Sequence, residues 1–431
     1  METKSWWKKL KNNPLARFGA TVLFILYVGV IFADFVAPYN PIASQPNGSL
    51  LPPTRVYLRN QGTGKFIGPH VYPTILGPVD IETGNRQAEI DLDRPAPLRL
   101  FVKGDEYRLF ELTVPYLTEF SLGEAVAMEV DEFNIFKGIP LSRHLFGPVG
   151  AATPEPLDAD VEAPAGADSI PAESDIVVAV PETAEGAGEL TAVQTTPAYF
   201  NLFGTDNAAR DIFSRLAFGG RISLSSGILG AIISFPIGLL VGGISGYFGG
   251  IVDAVLMRVV EVIMTIPFFY LLVTITAVLP AQLGSRRFYL IVFITSFIGW
   301  AGLARIIRGE VLSLKQRTFV QASKSMGGRS LHIITRHVLP QTATYVIIAA
   351  TLSIPSYIVA EAVLSLLGLG IQEPDPSWGN MLSAGTNASV LVLNPWVVWP
   401  PAALIMITIL CFNLVGDGLR DALDPRSLEE Q

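Results

Sequence analysis

The sequence predicts an all-α polytopic membrane protein, six transmembrane helices carrying a small strand-rich extracytoplasmic insert. Three observations predict the helices. The 431-residue chain is 50% hydrophobic and 16% charged, against about 25% charged in average soluble chains, and its mean hydropathy is +0.44. Six stretches stay apolar for roughly the 20 residues a helix needs to cross a bilayer. Basic residues gather beside those stretches, although the formal net charge is −8, from 30 Lys+Arg against 38 Asp+Glu. An ordinary soluble enzyme is excluded, and the charge balance speaks to topology rather than to an anionic partner. Cys411 is the one cysteine and there are four histidines, so neither a disulfide framework nor a cysteine metal site is expected.

The expected spans lie near 16–37, 221–245, 254–280, 288–307, 342–369 and 396–418. Lys4, Lys8, Lys9, Lys11 and Arg17 precede or open the first, which lacks a small-residue cleavage site and reads as a retained anchor with its amino end in the cytoplasm. Counting from there puts 38–220 outside, 308–341 inside and the carboxyl end inside. The 308–341 connection carries Arg308, Lys315, Arg317, Lys324, Arg329 and Arg336, which the positive-inside bias keeps cytoplasmic. Arg286 and Arg287 fall on the outer side, against that bias. Organisation follows in four parts. Residues 1–41 hold the cytoplasmic amino terminus and first span, 42–149 the strand-rich insert, 150–200 an acidic linker expected to be disordered, and 201–431 a five-helix core with a cytoplasmic loop at 315–340. Runs such as Leu98–Val102 and Tyr107–Phe110 between Gly/Pro turns favour strands in the insert. The linker is rich in Ala, Pro, Glu and Thr and lacks Lys and Arg, a composition that buries too little apolar surface to fold.

Small residues recur at every fourth position of the second span and beyond, at Ser226, Gly230, Ser234, Gly238, Gly242, Gly246 and Gly250. That spacing lines one helix face and lets another backbone approach, with Gly238, Gly242 and Gly246 as the packing centre. Pro236, Pro267, Pro355, Pro400 and Pro401 fall in spans and permit bends. In 315–340, Gln321, Ala322, Ser323 and Met326 offer a short helix with small residues, Gly327 ends it, and a second helix runs to Pro340. Such a helix between two spans is a knob that a cytoplasmic partner can grip.

This loop, with Gln321-Ala322-Ser323, Gly327 and Leu339-Pro340, resembles the Glu-Ala-Ala…Gly…Leu-Pro loop of ATP-binding-cassette importer permeases, Gln321 replacing the acid and Ser323 the second alanine. The amino-terminal Trp6-Trp7-Lys8-Lys9-Leu10 and Asn13-Pro14-Leu15-Ala16 are similar to the dipeptide/oligopeptide (peptide/nickel) permease family. So are Phe203-Gly204-Thr205-Asp206, Gly246-Tyr247-Phe248-Gly249-Gly250, Ala360-Glu361-Ala362 and Pro376-Ser377-Trp378-Gly379-Asn380. Together these cover nearly all of 1–41 and 203–426; some permeases of this group also carry an outer insert. The resemblance implies a permease subunit of an ATP-driven importer of peptides or similar small solutes in the bacterial cytoplasmic membrane. It also implies a second homologous permease, two cytoplasmic ATPase subunits and an extracytoplasmic solute-binding protein as partners. Coupling to the ATPases would fall to Gln321, Ala322, Ser323, Gly327, Leu339 and Pro340.

Other polar residues have readings of their own. Glu361, about 20 residues into the fifth span, sits near the outer boundary with a functional or a hydrogen-bonded packing role. Arg258 and Glu261, three apart on the third span, pair near the inner face. Asp206, Arg210 and Asp211 form an ion-paired corner where the second span begins. His332 and His337 are five apart, off the α-helical spacing that stacks two ligands, so no metal is expected there. No cofactor is expected. The chain has no G-x-x-x-x-G-K-[ST], G-x-S-x-G or H-E-x-x-H motif, and as an enzyme it is expected to do nothing itself, hydrolysis being left to partners. Nickel complexes and other solutes are alternatives to peptides. A gradient-driven secondary transporter would need paired broken helices and mid-membrane acids in two matching halves. An enzyme or receptor on an anchor would not need six spans.

Overall fold

In the computed structural model the described residues are 3–79, 86–109, 112–122, 126–136, 138–149, 198–278 and 286–423. The acidic stretch read as a linker lies almost wholly outside them. Helix α1 (Thr3–Asn12) leads into α2 (Pro14–Ile31), whose start is set by Asn13: its side-chain oxygen accepts from the backbone N–H groups of Leu15 and Ala16 at 3.1 and 3.2 Å. Proline at the first helical position completes this cap, because its missing N–H would have had no partner there. A short α3 (Ala33–Val36) turns the chain outward.

Eight antiparallel strands follow: β1 (Tyr57–Arg59), β2 (Phe66–Val71), β3 (Thr74–Val79), β4 (Arg86–Ile90), β5 (Ala96–Leu109), β6 (Leu112–Leu122), β7 (Val126–Phe136) and β8 (Ile139–Pro148). Four form a sheet in the order β1-β2-β5-β8, while β3-β4 and β6-β7 pair as separate hairpins. Two-stranded ribbons are marginal alone. The base is anchored by Val71, Ala198 and Phe200 packed on Leu98 and Phe146, and by the 2.6 Å contact of His144 Nδ1 with the Ala37 carbonyl.

The helical part is built on α4 (Ile212–Phe248), a 37-residue helix that starts nine residues before the expected span and continues through Pro236. After it come α5 (Gly250–Thr265), α6 (Phe268–Val278), α7 (Arg286–Leu314), α8 (Thr318–Ser325), α9 (Ser330–Ile333), a π-helical turn (Ile334–Val338) and α10 (Leu339–Leu366). On the far side lie α11 (Trp378–Leu382) and α12 (Ala388–Leu393) before α13 (Trp399–Leu423). Among the described residues five segments are long and apolar enough to cross a membrane: Pro14–Ile31, Ile212–Phe248, Leu290–Leu314, Ser330–Leu366 and Pro395–Leu423. The expectation of six continuous spans is corrected at 254–280, where α5 and α6 are separate helices. Ile266 is extended (φ −76°, ψ 119°) because Pro267 crowds the residue before it and offers no N–H for the helix ladder. Pro355 stays within α10, and Pro400 and Pro401 fall in the first turn of α13, where a missing N–H costs nothing.

The glycine face of α4 meets α7. A carbon added at Gly242 would stand 2.5 Å from the Ala304 carbonyl oxygen, at Gly246 2.8 Å from that of Arg308, and at Gly238 3.0 Å from that of Trp300. Farther out the same stripe turns to α10: a carbon at Gly230 would meet the Tyr357 ring at 2.6 Å, and Ser234 Oγ lies 2.7 Å from both Tyr357 Oη and the Ser296 carbonyl. Gly250 does not belong to the stripe. It follows the helix end, has φ +56° and faces open space, so glycine serves the turn there.

Backbone against backbone cannot yield as a flexible side chain can. Gly242→Ala is therefore expected to destabilise the protein by about 1–3 kcal/mol, the range for overpacking a tight interior. Gly302→Ala on α7, where an added carbon meets nothing within 4 Å, is expected to be neutral. Thermal unfolding of the two variants in detergent checks the contrast; equal midpoints would refute the close-approach account.

Candidate functional site

The candidate coupling knob is α8 with its two flanking turns. The helix ends in a Schellman motif: the N–H of Gly328 reaches the Ser323 carbonyl at 3.0 Å and that of Gly327 the Lys324 carbonyl at 3.1 Å. The motif needs a left-handed residue, and Gly327 supplies φ +82°. Gln321 turns back to donate from Nε2 to the Lys315 carbonyl at 2.8 Å, so its amide braces the turn before the helix.

Two faces of α8 have different surroundings. Val320 and Ser323 point inward, at 2% and 9% exposure, while Gln321 and Ala322 are exposed with Phe319 and Met326. Ser323 therefore supports the knob from beneath, and the outward surface is Phe319, Ala322 and Met326, extended by exposed Leu331. Val320 belongs to a buried cluster with Ile307 and Val311 of α7, Ile333 of α9 and Val338 of the π-helical turn. Phe235, Leu239 and Tyr247 of α4 and Tyr345 and Val346 of α10 pack on the same cluster. Leu339 presses against α4 at Gly243, and Pro340 sits exposed in the first turn of α10. The knob, two long helices and the foot of a third thus share one close-packed body.

Polar ties reinforce that body at the knob end. Lys315 Nζ donates to the Gly246 carbonyl at 2.9 Å. Arg308 of α7 grips Asp253 of α5 with Nε at 2.5 Å and Nη2 at 2.6 Å, and Ser245 Oγ donates to the same carboxylate. Arg258 and Glu261 do pair, at 2.9 Å, but on the exposed face of α5 at 79% and 52% exposure.

A second set of ties closes the end of the bundle away from the knob. Arg210 Nη2 lies 2.9 Å from Asp206, and Arg210 also bonds Glu373 in the loop after α10. Arg215, 1% exposed, reaches Asp206 at 3.4 Å and Glu373 at 3.0 Å. Asp211 caps α4, accepting from the Ser214 N–H and hydroxyl, both at 2.7 Å. Burial pushes its carboxyl up to about 7 against the pull of those two bonds. Glu361, 4% exposed, accepts from Ser223 Oγ of α4 at 2.9 Å and Ser365 Oγ of α10 at 2.8 Å. Ser223 Oγ in turn receives the N–H of Trp378 at 3.1 Å, so one carboxylate fastens α4, α10 and α11 together.

Sequence spacing exposed the local pairs and missed the long-range ones. Glu373 lies 163 residues from Arg210, and Asp253 lies 55 from Arg308. No periodicity within one helix can announce such partners. Their only signal was an acid and a base each set at the edge of an apolar run.

Arg215→Met is expected to lower stability by about 1–3 kcal/mol, because it removes a buried cation's bonds to Asp206 and Glu373 while Arg210 still faces both acids. Glu373→Gln, at a position 53% exposed, is expected to cost much less. Unfolding midpoints of both variants check the order, and a reversal would show that Glu373 carries the closure.

Residues 235–429 match the family described as binding-protein-dependent transport system inner membrane component, and residues 3–53 match the N-terminal TM domain of oligopeptide transport permease C. The chain is 44% identical over 237 residues to the oligopeptide transport system permease protein OppC of Haemophilus influenzae, covering 55% of this chain and 74% of that one. It is 40% identical over 237 residues to the dipeptide transport system permease protein DppC of Bacillus subtilis, covering 55% and 72%. Among solved structures it is similar to the inward-facing MetNI methionine ABC transporter, at 21% identity over 48% of this chain and 96% of that one, with a TM-score of 0.38, too slight a likeness to build on. Identity of this order over nearly three quarters of two relatives, with both family matches in chain order, places the chain in the oligopeptide and dipeptide permease family of multi-pass inner-membrane transport proteins.

Proposed function

We propose that the chain is one of two homologous permease subunits of an ATP-driven importer for di- or oligopeptides. Two cytoplasmic ATPase subunits and an extracytoplasmic solute-binding protein complete it. The observation that carries the coupling role is the single apolar cluster running from Val320 of α8 into α4, α7 and α10. Interiors packed at crystal density transmit displacement rather than absorbing it. A push on the exposed Phe319, Ala322 and Met326 surface therefore moves the cytoplasmic ends of three long helices together. ATP binding in the partners supplies the push, and the bundle switches which side is open. Hydrolysis belongs to those partners, and the cytoplasm holds both termini and the knob.

Two experiments test this reading. Ala322→Trp adds bulk on the exposed face only, and Gly327→Val opposes a backbone angle that costs a non-glycine residue roughly 1–2 kcal/mol. Each variant is expected to insert normally yet lose at least tenfold in ATP-dependent peptide uptake, or fail to co-purify with the ATPases. Full partner binding and full uptake in both would remove the knob from the coupling path. For topology, Lys65→Cys in the strand lobe is expected to react with a membrane-impermeant thiol reagent in intact cells and Ser330→Cys to be protected. The native Cys411 is 1% exposed and gives a low background.

A further inference from the structure

His332 and His337 are separated by five residues, which at 100° per residue leaves two α-helical side chains about 140° apart. Beyond Ile333, the last residue of α9, the chain between them is not α-helical. Residues Ile334–Val338 form a π-helical turn, whose wider i→i+5 bonding brings residues five apart back toward one face. The two imidazoles meet there, with centroids 5.7 Å apart and planes at 79°. His332 is exposed and His337 half-buried, so the pair opens to the cytoplasmic side of the arm that joins the knob to α10.

We propose that His332 and His337 form a two-imidazole site for a borderline divalent transition-metal ion such as Zn2+. Two imidazoles bound to one tetrahedral ion at about 2.0–2.1 Å place their ring centres roughly 5 Å apart, within a small side-chain rotation of what is seen. No third His, Cys, Asp or Glu joins them among the described residues, so the remaining positions fall to water or an anion. Arg329 precedes the pair and Arg336 lies within it in sequence, and both favour an anion there. Two protein ligands make an exchangeable regulatory site, not a structural one that holds the fold together.

Its placement gives it a consequence. Val338 of the π-helical turn and Ile333 beside it lie in the cluster that links the knob to the spans. A metal bridging the two rings staples the turn in this geometry and opposes any rearrangement of it during transport. This regulatory half rests on the coupling role proposed above; the binding site does not.

The test begins with Zn2+ titrated calorimetrically into the full chain in detergent, with Cu2+ electron paramagnetic resonance as a second probe. The wild type is expected to bind Zn2+ at least tenfold more tightly than either His332→Gln or His337→Gln, and to show Cu2+ bound to two imidazole nitrogens where each variant shows one. Both substitutions fall on accessible side chains, so the fold should survive them. Affinity within twofold of wild type in either variant would overturn the site. In the reconstituted importer, Zn2+ is expected to lower ATP-dependent uptake several-fold for the wild type, reversibly with a chelator, and to leave both variants unaffected. Uptake indifferent to saturating Zn2+ would overturn the staple. A complex with no ATP-dependent uptake in metal-free buffer would refute the importer reading instead, with the titration still deciding the site.

Discussion

The close approach of α4 to α7 sets the geometry of everything around it. Where Gly242 faces the Ala304 carbonyl at a distance no side chain could occupy, two long backbones run nearly in contact. Helices in a bilayer gain little from burying apolar groups, since lipid tails are equally apolar, and depend instead on such packing. With α7 fixed along one part of the α4 stripe, the Tyr357 and Ile358 face of α10 docks farther along it, and the Ser223–Glu361 bond sets its height. The Val320 cluster then has three walls against which Val320 can be held.

Polar groups are distributed to match that frame. The acids that matter most, Glu361, Asp206 and Asp253, each bond groups from another helix or another part of the loop, and none is left to lipid. An ionisable group buried alone is costly, so each such acid has to be met by donors, and the meeting fixes which helices are neighbours. The outer ties bind the start of α4 to the loop after α10. The inner ties bind the end of α4 and the start of α5 to α7. The region between them is held chiefly by packing and hydroxyl bonds.

Much of this was legible in the sequence, and what was legible was local. The glycine spacing announced a contact face and Gly327 a helix end, because each depends on a few adjacent residues. The break at Ile266–Pro267 was only half legible: proline permits a bend, but hydropathy ran straight across it. The inward turn of Ser323 was hidden, since which side of so short a helix faces the bundle depends on contacts with α7 and α10. The meeting of His332 with His337 was misread outright, because α-helical spacing was applied to a turn that is not α-helical. Partners more than 50 residues apart, such as Arg308 and Asp253, lie beyond any periodic reading.

The division of the 250–278 stretch makes it a jointed strut. Its first half, α5, packs Val260 against Trp300, Ala301 and Ala304 and is pinned at Asp253 to the same helix that carries the knob. Its second half, α6, packs Leu272 on Ile291 and Leu364, away from the knob. An unbroken rod would force both ends to tilt by one angle. With the ladder interrupted at Pro267, the α5 half can pivot while the α6 half keeps its seating, so the two ends of the bundle need not move in step.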